Sequence, residues 1–204
     1  MTLKKRLASM VFLAGAAATS AGLTAGPANA GTTITANYPV NGSTFIHSLN
    51  SSIALGPGTL TATVDLSTGA VTGSVNLPAA TGSFKEFGFI PVTATTEFIP
   101  DGPTTGQTTS TGGIQATAQI TLKLTDLKVA GLDIPVGRSC ETSAPATIAL
   151  ASAPGFNALK GGVVNGTYTI PRFTHCLLAT PLINLSIPGA GNTITLTLGT
   201  PTFG

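Results

Sequence analysis

The sequence predicts an all-β protein: an antiparallel β-sandwich, or a partly closed β-barrel, of about nine to eleven strands. Three observations carry this. Apolar and polar residues alternate with period two through nearly every segment, turn-forming residues fall between the alternating runs, and only two short stretches have room for a helical turn.

Taken along the chain, Ile34, Ala36 and Tyr38 open the series. Leu60, Ala62, Val64 and Leu66 follow, set against Thr59, Thr61, Thr63 and Asp65, and Val71, Val75 and Leu77 continue the pattern. The clearest run has Ile114, Ala116, Ala118, Ile120, Leu122 and Leu124 on one face, with Gln115, Thr117, Gln119, Thr121 and Lys123 on the other. A helix would scatter these residues about its axis, whereas a strand sorts them onto two faces. Ile194, Leu196 and Leu198 close the series. A polar second face belongs to antiparallel sheets with one side in water.

Ser67-Thr68-Gly69 reads as a hairpin connection with glycine at the left-handed position. Gly56-Pro57-Gly58, Pro100-Asp101-Gly102-Pro103, Gly112-Gly113 and Pro188-Gly189-Ala190-Gly191 read as the other breaks. Phe156 to Lys160 and Leu177 to Leu185 are the two places for a helical turn, the second limited by Pro181. A membrane-spanning barrel is the lesser alternative: the strands are long enough, but no Trp and two Tyr cannot furnish aromatic girdles.

Residues 1–30 have the three parts of a secretory signal peptide. Lys4, Lys5 and Arg6 precede the apolar run Leu7 to Ala18, and Ala28-Asn29-Ala30 is a small-x-small cleavage site. The mature chain then begins at Gly31, and residues 31–204 form a single β domain. The apolar run is too short to span a bilayer, so no transmembrane segment is expected in the mature chain. The expected location is extracellular, or loosely associated with the cell envelope.

The full chain has nine basic and seven acidic residues. Three of the basic residues lie in the leader, which leaves six against seven and a net charge of −1 in residues 31–204. No basic cluster survives to bind nucleic acid. Only 8% of the residues are charged, against roughly 25% in ordinary domains. Hydroxyls and amides must therefore hydrate the surface.

Cys140 and Cys176, placed in an oxidising compartment, are expected to form a disulfide. The closed loop stabilises by about 4 kcal/mol in the chain-entropy account. Such a bond would gather Arg138, Glu141, Arg172 and His175 into one neighbourhood, a candidate polar site able to hold an anionic group, or simply a solvated charge cluster. No metal site or cofactor is expected, since neither a second Cys pair nor a dinucleotide or phosphate loop occurs.

Hydrolase signatures such as Gly-x-Ser-x-Gly and Ser-x-x-Lys do not occur, so the chain reads as non-enzymatic. His47 falls with Phe45 and Leu49 on the apolar face of an expected strand, where a packed histidine is the simpler reading. Asp65 falls beside a turn, where Asp serves the backbone. Phe84, Phe87, Phe89 and Phe98 form a cluster, with Phe87 and Phe89 on one strand face. The rings either fill the core or make a patch for an apolar ligand.

The Ala-rich leader, the stretch from Gly58 to Ala70, Thr180-Pro181-Leu182-Ile183-Asn184 and Gly191-Asn192-Thr193 together resemble small, uncharacterised exported proteins of actinomycete bacteria. The resemblance implies a bacterial envelope or extracellular setting and carries over no functional residues. Three function classes follow, in order. The first is a structural or adhesive protein contacting a cell-wall or envelope component, or further copies of itself. The second is a carrier of an apolar molecule such as a lipid, and the third a hydrolase or inhibitor with a site near the disulfide.

Overall fold

A computed structural model describes residues 31–204; the signal-peptide reading of residues 1–30 lies outside the described residues. The strands are β1 (Thr33–Ile46), β2 (Ser51–Asp65), β3 (Ala70–Asn76), β4 (Ala80–Glu86), β5 (Ile90–Pro100), β6 (Thr104–Thr108), β7 (Ile114–Val129), β8 (Leu132–Asp133), β9 (Glu141–Thr142), β10 (Ala146–Ser152), β11 (Gly162–Ile170), β12 (Phe173–Thr174), β13 (Gly189–Leu198) and β14 (Thr202–Phe203). A 3-10 turn (Leu177–Ala179) runs into one helix, α1 (Thr180–Ser186). Pro181 sits in the first turn of α1, where the missing N–H has no helical partner to lose. The other expected helical turn, Phe156 to Lys160, is a tight loop closed by the Asn157–Gly161 bridge.

Eight strands close a barrel in the order β7-β10-β11-β13-β1-β2-β3-β6, every pairing antiparallel. The closing seam is β7 with β10, Gln115–Ile120 against Ala151–Ala146. This settles the sandwich-or-barrel alternative in favour of a fully closed barrel. Beyond Ile120, β7 leaves the barrel and pairs with β5, which pairs with β4, making a three-stranded wing. The wing covers the Ser51–Leu55 half of β2, where Ile53 occupies the space a side chain at Gly82 would need. Gly31–Gly204 is one compact unit.

Two phase changes fit the barrel to the wing. Gly56-Pro57-Gly58 lies inside β2, not in a turn as its composition suggests. β2 advances three residues from Leu55 to Gly58 while β1 advances two between Val40 and Gly42. The extra residue moves the inward positions from Ile53 and Leu55 to Leu60 and Ala62. Gly56 is required there, because it has φ +90° and a Cβ would crowd the Val40 carbonyl oxygen at 2.6 Å. In β7 a bulge at Thr125 shifts the inward positions from Leu122 and Leu124 to Leu127 and Val129.

The outer face of the barrel carries hydroxyl and amide pairs. Thr61 Oγ1 donates to Asn37 Oδ1 at 2.6 Å, Thr195 Oγ1 to Asn165 Oδ1 at 3.0 Å and Thr147 Oγ1 to Gln119 Oε1 at 3.0 Å. Apolar inside and polar outside is the inverse of a barrel that crosses a bilayer. Asp65 serves its turn as expected, accepting from the Ser67 N–H at 2.8 Å and from the Thr68 N–H.

Candidate functional site

The barrel lumen encloses an apolar space. Alternation aims one residue in two inward from each strand, and most of these are aliphatic: Val40, Leu60, Val71, Ile120, Ile148, Ile194 and Leu198 among them. An eight-stranded barrel is just wide enough for such side chains to fill. Here Ala62, Gly73, Ala116, Ala118 and Ala146 take lumen positions, and a cavity of about 130 Å³ remains. Phe156 and Leu77 line it towards one end. Phe156 is brought there by the β10–β11 loop, which the Tyr38 hydroxyl holds by donating to the Ala158 carbonyl at 2.7 Å.

Towards the wing, Thr44, Phe98, Leu122 and Tyr168 line both this cavity and a second one of about 50 Å³ among Ile53, Phe84, Ala94, Phe173 and Ile187. These four side chains therefore divide the interior into two chambers. None of the residues lining either chamber is charged. The polar groups at the partition are the Thr44 and Tyr168 hydroxyls, 2.5 Å apart, and Thr44 Oγ1 also donates to the Thr193 carbonyl at 2.9 Å. Burial raises the Tyr168 pKa above the usual tyrosine value, and the Thr44 hydrogen bond offsets part of the rise. Burial also raises that of Tyr38. Both phenols are held neutral.

Asn192, buried behind Tyr168, fixes the frame. Its amide donates to the Gly189 carbonyl at 2.7 Å and the Tyr168 carbonyl at 3.2 Å, and its oxygen accepts from the His47 N–H at 3.0 Å. His47 itself is exposed, a correction to its placement on an apolar strand face. β1 ends at Ile46, and it is Thr44 and Ile46 that point inward.

The phenylalanine cluster divides. Phe98 lines the lumen and Phe84 the second chamber, both within core packing. Phe87 and Phe89 do not share a strand face. Phe87 and Gly88 have φ +50° and +79° and, with Phe89, form the three-residue connection of the β4–β5 hairpin, closed by the Glu86–Ile90 pair. Both rings are exposed, Phe87 by 68% and Phe89 by 73%. The β7–β8 hairpin turns the same way at Ala130-Gly131 and lies alongside, the Ala130 N–H donating to the Pro91 carbonyl at 2.8 Å. Exposed Leu132 sits at that tip, and a groove of about 80 Å³ separates Phe87 from Leu182 of α1.

Cys140 and Cys176 form the disulfide, both sulfurs fully buried. The bond and the β9–β12 pairing set Glu141 opposite Thr174 and bring Arg138, Arg172 and His175 close in the chain to it. Arg138, Arg172 and His175 are exposed, and among the described residues no ion pair joins any of the four. The His175 ring contacts the neighbouring Thr174 hydroxyl at 3.1 Å on the exposed surface. Among the described residues no group of three or more His, Cys, Asp or Glu is arranged to hold a metal ion.

Sequence reasoning did not single out Thr44, Tyr168, Asn192 or the lumen alanines. The available signal was alternation, which placed Ala116 and Ala118 on the apolar face without revealing that the sheet closes around them. Comparison with protein-family models, with curated proteins and with solved structures finds no match to this chain.

Proposed function

We propose that the protein is a non-enzymatic binder of small apolar molecules, which it holds in the barrel lumen, acting in an oxidising compartment outside the cytoplasm. The observation that carries this reading is the unfilled apolar lumen left by five small residues. Leaving 130 Å³ empty costs about 3 kcal/mol at the usual cavity coefficient. An apolar cavity of this size stays dry and admits a ligand of benzene size. A ligand in the lumen restores the contacts the walls lack, and the bound state gains what the empty state forgoes. The disulfide fits the compartment.

The test is a ligand-induced shift in the thermal transition with benzene, repeated on Ala116→Leu. The wild type should rise with benzene concentration. The filled variant should melt at its own temperature regardless of benzene. A wild-type transition that benzene does not move at saturation would overturn the reading.

An envelope-contact role is a second reading, favoured by one observation. Phe87, Phe89 and Leu132 at adjacent hairpin tips of the wing, and Leu178 and Leu185 on the helical segment, all expose apolar surface. Co-sedimentation with envelope material from the host, compared between wild type and Phe87→Ser/Phe89→Ser, tests it. Equal sedimentation of the two proteins would remove its support.

A further inference from the structure

Resting on the lumen reading, we propose that the ligand is a neutral molecule with one hydroxyl on a compact apolar body, a phenol or small alcohol, and that its hydroxyl donates to the Tyr168 oxygen at the partition between the chambers. The argument is a proton inventory. The Thr44 hydroxyl carries one proton, and the Thr193 carbonyl 2.9 Å away can only accept. The Tyr168 hydroxyl, 2.5 Å from Thr44 Oγ1, also carries one. If Thr44 donated to Tyr168, the phenolic proton would face an apolar chamber without an acceptor, which is the costly state for a buried donor. With Tyr168 donating to Thr44 and Thr44 to Thr193, both protons are placed, and the more acidic hydroxyl heads the chain.

This direction decides what the lumen can recognise. The Tyr168 oxygen keeps an unused acceptor site, and no other protein hydrogen bond to it is found among the described residues. A ligand that donates meets it without disturbing the chain. A ketone, aldehyde or ether would have to take the Tyr168 proton, at the loss of either the Tyr168–Thr44 or the Thr44–Thr193 hydrogen bond. A carboxylate or amine would enter with its charge unpaired, because no lining residue is charged. The volume sets the size at the scale of one six-membered ring with a substituent. Phe98 and Leu122, which line both chambers, supply apolar contact on either side of the hydroxyl.

The experiment titrates the mature protein with benzene, phenol, benzaldehyde and benzoate by calorimetry, and repeats benzene and phenol on Thr44→Val/Tyr168→Phe, which removes both oxygens at nearly constant volume. In the wild type, phenol should bind within about three-fold of benzene or more tightly, because the desolvated hydroxyl regains a partner. Benzaldehyde should bind more weakly than phenol, and benzoate should not bind. In the double variant, phenol should weaken by about ten-fold or more, the order expected for a buried hydroxyl left without a partner, while benzene holds within about two-fold. Phenol about ten-fold weaker than benzene in the wild type, or equal losses of both ligands in the variant, would overturn the inference and leave the lumen reading standing. Failure of every compound, benzene included, would remove the lumen reading itself. Should the double variant not fold, the wild-type order of phenol, benzene and benzaldehyde decides alone.

Discussion

The Tyr38 hydroxyl reaches across 120 positions to the Ala158 carbonyl, at 2.7 Å, and so couples the first barrel strand to the loop that seats Phe156 at the lumen. Within the loop, the Gly161 N–H donates to the Asn157 carbonyl at 2.7 Å, and the Leu159 N–H to Asn157 Oδ1 at 2.8 Å. Leu159 is exposed. The loop is thus rigid within itself and tied to the barrel through Tyr38 and Phe156. Tyr38→Phe should lower stability by about 1 kcal/mol, the ordinary worth of a part-buried hydrogen bond. The more specific outcome is faster amide exchange confined to residues 156–161. Uniform acceleration across the barrel would mean that the bond supports the whole fold and not the loop.

Gly73 and Gly106 face the same interior from neighbouring strands and should respond oppositely to alanine. A Cβ at Gly73 meets the movable Leu60 Cδ1 at 3.3 Å and stays beyond 3.5 Å from other atoms, within the lumen lining. Gly73→Ala should therefore stabilise by roughly 0.5 kcal/mol through the unfolded chain, and reduce the lumen volume. A Cβ at Gly106 would overlap the Gln115 carbonyl oxygen and the Ala116 backbone across the β6–β7 ladder. Backbone cannot swing aside, so Gly106→Ala should cost about 2 kcal/mol or more. Urea unfolding of the two variants checks both signs.

The strands were legible because alternation is a local signal, and Ile114 to Leu124 is read correctly residue by residue. What stayed hidden depends on pairing partners far apart in sequence. Nothing local in Gln115–Ile120 says that this run meets β10 on one side as well as β6 on the other, and that double pairing is what closes the barrel. The inserted residues at Gly56-Pro57 and Thr125 each reverse the inward phase, so Ile53 and Leu127 fall off any face extrapolated from the rest of their strands. Phe87 misled for a different reason: a bulky aromatic rarely takes a left-handed turn position, so composition placed the strand through the turn. The disulfide was legible from count and compartment alone. The lumen was not, because a small inward residue such as Ala118 looks the same whether its neighbours fill the space or leave it open.

The disulfide should carry a large share of stability. Cys140 and Cys176 are 36 positions apart and tie the β9–β12 pair to β7, where the Leu124 N–H donates to the Cys140 carbonyl at 2.8 Å. Replacing both with serine should cost about 4 kcal/mol if loop entropy dominates, with the loss visible as a lower urea midpoint. The native protein should present no thiol to a titrant. A midpoint unchanged by the double substitution would show that the surrounding hydrogen bonds already hold this corner.

Phe87→Asn should stabilise the protein. At φ +50° the phenylalanine occupies the left-handed region, at a cost of about 1 kcal/mol for a residue with a full side chain, whereas Asn visits that region readily. The ring is mostly exposed, so little packing is lost with it. A rise of about 0.5–1 kcal/mol in unfolding free energy is expected. A fall would mean that the ring's contact with the groove beside Leu182 outweighs the strain of its backbone.

Alkaline pH should weaken the fold through its two tyrosines. Burial raises the pKa of both Tyr38 and Tyr168 above the ordinary value of 10.0. Below that value folded and unfolded chains both hold the phenolic protons, and stability does not depend on them. Above it the unfolded chain releases protons that the folded chain retains, so the unfolded state binds fewer protons and stability falls with rising pH. The fall should continue until the folded-state values are passed. Absorbance titration of the phenolate band in the native protein should show no transition at the free-tyrosine position, followed by ionisation coincident with unfolding. When Tyr168 ionises, the Thr44 hydroxyl turns from the Thr193 carbonyl to donate to the phenolate, and this donation offsets part of the burial. Thr44→Val removes that donor and should push the Tyr168 transition higher still, while leaving that of Tyr38 in place. A native phenolate signal already complete at the free-tyrosine pH would mean that water reaches both hydroxyls, and that the partition between the two chambers is wet.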